Sequence, residues 1–78
     1  MASNTQNVVG PQIRKIRYKQ GMTQEMFAAK CTVMGLELSR ATLSKIEAQV
    51  RCVSDLELRM LAKILRVEVK DLYPGGKR

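Results

Sequence analysis

Residues 39–47 read Ser39-Arg40-Ala41-Thr42-Leu43-Ser44-Lys45-Ile46-Glu47, and the fold is read outward from them. Ser39 suits the position before a helix, because its hydroxyl can accept from an amide that has no partner in the first turn. Leu43, Ile46 and Val50 then recur at i, i+3 and i+7, the spacing of one helical face. A helix capped by Ser39 and running to about Gln49 is therefore predicted, with that row turned inward. The same row takes in Glu47, and a carboxylate among apolar side chains is costly unless it is paired. The opposite face carries Arg40, Ala41, Ser44, Lys45 and Ala48. It holds no acid, and its small residues let the backbone approach another surface closely.

Toward the N-terminus, Thr23 caps a helix predicted through Met34. Met22 before the cap and Phe27 in its second turn form a hydrophobic staple. Phe27, Cys31 and Met34 continue the apolar stripe, Gly35 suits a left-handed helix end, and Leu36 can fold back on the last turn. A further helix opens at Pro11, whose missing N–H is no loss in the first turn, and stops before Gly21. Ile13, Ile16 and Arg17 share its inner face. Arg17 and Glu47 are thus two charges on two buried stripes, and a salt bridge between them is the economical solution. The alternative is that both side chains reach solvent at the edge of the core.

Toward the C-terminus, Ser54 and Glu57 make a capping box. Leu58, Leu61, Ala62 and Leu65 form the main stripe of the helix they start, and Leu56, Met60 and Ile64 form a second row on its other side. A short last helix is predicted near Val69 to Tyr73, closed by Pro74. No segment alternates at period two, so the chain reads as all-α with five helices. Residues 1–9 are expected to be a flexible arm, 10–74 the folded domain and 75–78 a flexible basic tail.

Fourteen Lys and Arg face seven Asp and Glu, a net charge of +7, which favours polyanionic partners such as nucleic acid. There is no histidine, so Cys31 and Cys52 cannot complete a four-ligand zinc site; reduced thiols in apolar surroundings are expected. With no phosphate-cradling glycine loop and no acid pair in an evident cleft, neither an enzyme nor a cofactor nor a small-molecule substrate is expected. No apolar run approaches the ~20 residues that span a bilayer, and residues 1–9 have the character of neither a signal nor a transit peptide. Arg59, Lys63 and Arg66 read as the solvated side of a core helix rather than a membrane face. A cytoplasmic protein is expected.

The stretch from Ile13 to Tyr73 resembles the Cro/CI-type (XRE) helix-turn-helix domain of phage and bacterial repressors. The resemblance rests on IRKIRYKQGMTQEMFA (13–28), SRATLSKIE (39–47) and LAKILRVEVKDLY (61–73). It implies a five-helix lambda-repressor-like domain whose helix-turn-helix is built by the second and third helices. It also implies that Arg40, Ala41, Ser44 and Lys45 face the bases, while Gln24, Ser39 and Arg51 hold phosphates. Ala28 would be the small residue where the two helices cross, and the family pairs its first-helix Arg with the Glu corresponding to Glu47. The interval from Ala28 to Glu47 is about one helical turn longer than is usual in the family. The surplus is assigned to a helix 2 extended through Met34 and a turn from Gly35 to Leu38. Where the family often has glycine after the third and fourth helices, this chain has Gln49 and Arg66.

These readings converge on a sequence-specific double-stranded DNA-binding protein, a repressor-like transcriptional regulator. A homodimer is expected through Leu56, Met60 and Ile64, helped by Val69 and Tyr73. Two other uses of the fold remain open at this point. One is a protein-interaction module such as an antitoxin or adaptor. The other is nonspecific, architectural DNA binding, marked by steep salt dependence without sequence preference.

Overall fold

The computed structural model describes residues 6–75. They form α1 (Gly10–Lys19), α2 (Gln24–Val33), α3 (Arg40–Glu47) and α4 (Asp55–Leu65), followed by a 3-10 turn at Val69–Leu72. No strand occurs among the described residues. The all-helical expectation stands at that level, but the fifth element is a single 3-10 turn rather than an α-helix. Tyr73 after it is extended and Pro74 offers no N–H, so the turn cannot propagate.

Three helices start on hydroxyl caps. Thr23, Ser39 and Ser54 accept from the amides of Met26, Thr42 and Glu57, and the Glu57 carboxylate returns to the Ser54 amide at 3.0 Å. Each such cap contributes about 1 kcal/mol. The start of α1 is held from further back. Asn7 Oδ1 accepts from the Gly10 amide at 2.8 Å, while its Nδ2 donates to the carbonyls of Ile46 at 3.2 Å and Arg51 at 2.7 Å. The Gln6 amide donates to the Gln49 carbonyl at 2.8 Å, and Val9 is buried. Residues 6–9 are therefore packed against the end of α3, where a flexible arm over 1–9 was expected. Residues 1–5, and 76–78 of the expected tail, lie outside the described residues.

All four α-helices end in one way. The amide just after the chain reversal reaches back to the carbonyl five residues earlier: Met22 to Arg17, Leu36 to Cys31, Val50 to Lys45 and Val67 to Ala62. This closure requires a left-handed residue between them. Gly21 and Gly35 supply it after α1 and α2, whereas Gln49 (φ +66°) and Arg66 (φ +62°) adopt it after α3 and α4 despite their side chains. Gln49 is held there by its Nε2 donating to the Asn7 carbonyl at 3.1 Å.

Phe27, Ile13, Leu43, Ile46, Leu61, Leu65, Leu72 and Cys31 are fully buried at the centre, with Ala28 packed at their edge. Burial pushes the Cys31 thiol up to about 11, consistent with an inert core thiol.

The helix ends correct several expectations. Because α3 stops at Glu47 and Gln49 reverses the chain, Val50 leaves the helical phase and is 61% exposed. Met34 is the cap of α2 rather than part of its stripe and is exposed, its place in the core being taken by Leu36. Leu36 and Leu38 anchor the turn from α2 to α3 by their burial. Cys52 sits exposed in the α3–α4 turn, not in an apolar neighbourhood. Ile64 is only 5% exposed, so the second row of α4 is not wholly outward.

Gly10 packs against the backbone where α3 ends, and a Cβ there would overlap the Ile46 carbonyl oxygen. Gly10→Ala is expected to cost about 1–3 kcal/mol through this overpacking, read as a lower urea midpoint. Arg66→Gly should act oppositely. Relieving a left-handed side chain is expected to raise stability by about 1 kcal/mol in the same titration.

Candidate nucleic-acid interface

The orientation of α3 is set by buried charge. Arg17 Nε lies 2.7 Å from Glu47 Oε2 and Arg17 Nη2 lies 2.9 Å from Glu47 Oε1, a bidentate pair whose planar geometry fixes both side chains. The two residues are 4% and 7% exposed. Arg17 Nη1 also donates to the Met22 carbonyl at 2.8 Å, and Gln24 Nε2 donates to Glu47 Oε1 at 3.0 Å. One cluster therefore joins α1, the turn after it, the start of α2 and the last turn of α3. Among the described residues no buried side-chain nitrogen or oxygen is left without a partner. The hydrogen bond to Glu47 outweighs desolvation and raises the Arg17 pKa above its already high ordinary value, so its charge is permanent.

With Glu47 turned in, Arg40, Ala41, Ser44, Lys45 and Ala48 are all exposed on the outer side of α3. The structure brings these together as one face without a carboxylate. Ser39 is exposed at its N-terminal end, its oxygen accepting from the Thr42 amide at 3.1 Å. Gln24 is half-buried, committed through its amide to Glu47. Arg51 lies beyond the other end of α3 and is bound: its Nη1 and Nη2 meet Glu57 at 3.0 and 2.8 Å, and Nη1 also donates to the Cys52 carbonyl. The Arg51 hydrogen bonds are the main reason that the Glu57 carboxyl is held below its ordinary pKa, with the Ser54 amide adding to them.

The remaining predicted positions are separate from this face. Leu56 is 64% exposed and Tyr73 is exposed, while Met60 and Val69 are half-buried. Met60, Ile64 and Val69 line a groove of about 700 Å³ beside α4 together with Met34, Leu56 and Val67. Residue-level reading missed Asn7, which ties α1 to the end of α3, and the second role of Glu57 as the partner of Arg51. The Asn7-Val8-Val9-Gly10-Pro11 run carried a turn signal that could have revealed the first. Nothing local in the sequence marked the second.

Among the described residues no cluster of His, Cys, Asp and Glu could hold a metal ion, and no helix is long and apolar enough to cross a membrane.

Glu47→Ala strands the Arg17 guanidinium in the core and is expected to cost about 3–5 kcal/mol. Replacing both partners, as Arg17→Met with Glu47→Leu, should recover part of that loss, and chemical denaturation of the three variants measures the difference.

A family model described as helix-turn-helix matches residues 13–72. Among solved structures, the chain is similar to the DNA-binding domain of BldD, at 26% identity and a TM-score of 0.78, over 95% of this chain and 100% of that one. It is also similar to the restriction-modification controller protein C.AhdI from Aeromonas hydrophila, at 28% identity and a TM-score of 0.69, over 83% of this chain and 87% of that one. No curated protein sequence matches it. The match over 13–72 and the buried Arg17–Glu47 frame behind the acid-free outer face of α3 lead to one conclusion: the chain belongs to the XRE-type helix-turn-helix family of DNA-binding regulators.

Proposed function

We propose that the protein is a sequence-specific regulator that inserts α3 into the major groove of duplex DNA and acts, as a repressor does, by occupying an operator. The observation that carries this reading is the outward face of α3, free of carboxylates and held by the bidentate Arg17–Glu47 pair. Arg40 and Lys45 have the donors to meet guanine O6 and N7, Ser44 can meet either kind of base edge, and the Ala41 methyl suits a thymine methyl. Ser39 with the first amides of α3, and Gln24 at the start of α2, supply phosphate contacts. Arg51 adds another with the N–H groups that Glu57 leaves unused.

A second copy of the chain fits the groove beside α4. Leu56 is a large apolar side chain in solvent, continuous with Met60 and Val69 over a floor that includes Ile64, and Tyr73 lies exposed on the same C-terminal segment. A two-fold pair would present two α3 helices to half-sites about one helical turn apart. The same groove is the observation that favours the second reading, a protein-interaction module such as an antitoxin or adaptor.

Selection from a random duplex pool at physiological salt is expected to recover a two-fold-symmetric motif. Arg40→Ala or Lys45→Ala should cost about 1–3 kcal/mol of binding and relax preference at one base position. Enrichment of no motif would support architectural binding, and retention of no duplex would favour the interaction module.

A further inference from the structure

A second surface borders α3; it shares Arg40, Ser44 and Gln24 with the contacts proposed above and adds residues of α1 that have no role there. A cleft of about 790 Å³ lies between α1, the start of α2 and α3. From the α3 side it is lined by Arg40, Ser44 and Ala48, which at i, i+4 and i+8 form one edge of the helix, and by Glu47, whose carboxylate is engaged by Arg17. Ala41 and Lys45 lie further round the helix. Across the cleft stand Arg14 and Tyr18 of α1, both exposed. The guanidinium carbons of Arg14 and Arg17 lie 5.4 and 4.8 Å from the centroid of the Tyr18 ring, so the ring is a platform that orients Arg14. Arg17 is consumed by Glu47, whereas Arg14 pairs with no carboxylate among the described residues. The Arg14 guanidinium beside it is the main cause of the lowered pKa of the Tyr18 phenol. Glu25 is the one acid at the rim without a salt-bridge partner.

If α3 lies in the major groove, the strand beside its Arg40–Ser44–Ala48 edge must pass over this cleft. We propose that the cleft seats the sugar–phosphate backbone of that strand, with Arg14 neutralising a phosphate and the Tyr18 hydroxyl donating beside it. The footprint on DNA then extends from the helix-turn-helix onto α1. This inference rests on the reading of α3 as the groove-entering helix. It assigns Arg14 and Tyr18 to affinity on any sequence, not to discrimination among bases.

The test is duplex binding followed by fluorescence anisotropy across a salt series, on a selected motif and on a scrambled duplex of equal length. Arg14→Ala is expected to weaken binding to both duplexes alike, by about tenfold, and to make the slope of log affinity against log salt shallower by about 0.9. Arg14→Lys keeps the charge and should keep the wild-type slope. Tyr18→Phe keeps the ring and should lose affinity on both duplexes without altering the slope. Lys45→Ala reports on the parent reading, because its loss should be concentrated on the selected motif. Wild-type affinity and slope in Arg14→Ala and Tyr18→Phe, with Lys45→Ala still impaired, would overturn the α1 contact while leaving the role of α3 intact. If the wild-type protein itself binds neither duplex, the parent reading fails, and the α1 contact with it.

Discussion

The rest of this small domain is arranged around one buried ion pair. Arg17 and Glu47 come from helices 30 residues apart, and each would be prohibitively costly in the core without the other. Pairs of this kind add little net stability over an apolar replacement. What this pair supplies is direction, because two parallel hydrogen bonds define the rotation of α3 about its own axis far better than Leu43 and Ile46 could. Gln24 and the Met22 carbonyl complete the cluster, so the angle between α2 and α3 is tied to the same atoms. An exposed face free of acid follows from it: the one acid of α3 is spent inside, and the basic and small residues are left outside.

The second constraint is the end of α3, where the chain must reverse without a glycine. Gln49 takes the left-handed conformation at a cost of roughly 1–2 kcal/mol. Its neighbours offset that strain: the Gln6 amide reaches the Gln49 carbonyl and the Gln49 side chain reaches the Asn7 carbonyl. Asn7 adds bonds to Ile46, Arg51 and Gly10. The segment before α1 therefore serves as a clasp on the last turn of α3, and Arg51 just beyond is fixed by Glu57. Both ends of the exposed face are held by hydrogen bonds, the first turn by Ser39 and the last by the clasp. Such anchoring reduces the ordering that binding to a rigid duplex would otherwise demand.

Much of this was legible locally. The caps at Thr23, Ser39 and Ser54 are one-residue signals acting over three positions, and they mark the helix starts. The stripes through Phe27 and Cys31, Leu43 and Ile46, and Leu61, Ala62 and Leu65 face the core because 3.6-residue periodicity is a property of the chain itself. Val50 and Met34 fall on buried stripes only if the helical period is extended past a helix end: the left-handed Gln49 resets the phase before Val50, and Met34 is already the cap of α2. Cys52 was judged by its sequence neighbours, although it sits in a turn whose surroundings come from elsewhere.

The sequence by itself determined the helical class, the helix starts and the separation of α3 into a charged inner Glu47 and a basic outer face. Each of these depends only on spacing along the chain and on the energetic penalty for an unpaired buried charge. The tertiary structure alone decided that Asn7 holds the end of α3, that Glu57 restrains Arg51, that Ile64 joins the core and that Arg14 and Tyr18 border the α3 face. Those outcomes depend on how helices cross in space, and contacts between residues such as Asn7 and Arg51, 44 positions apart, leave no periodic trace in a single chain.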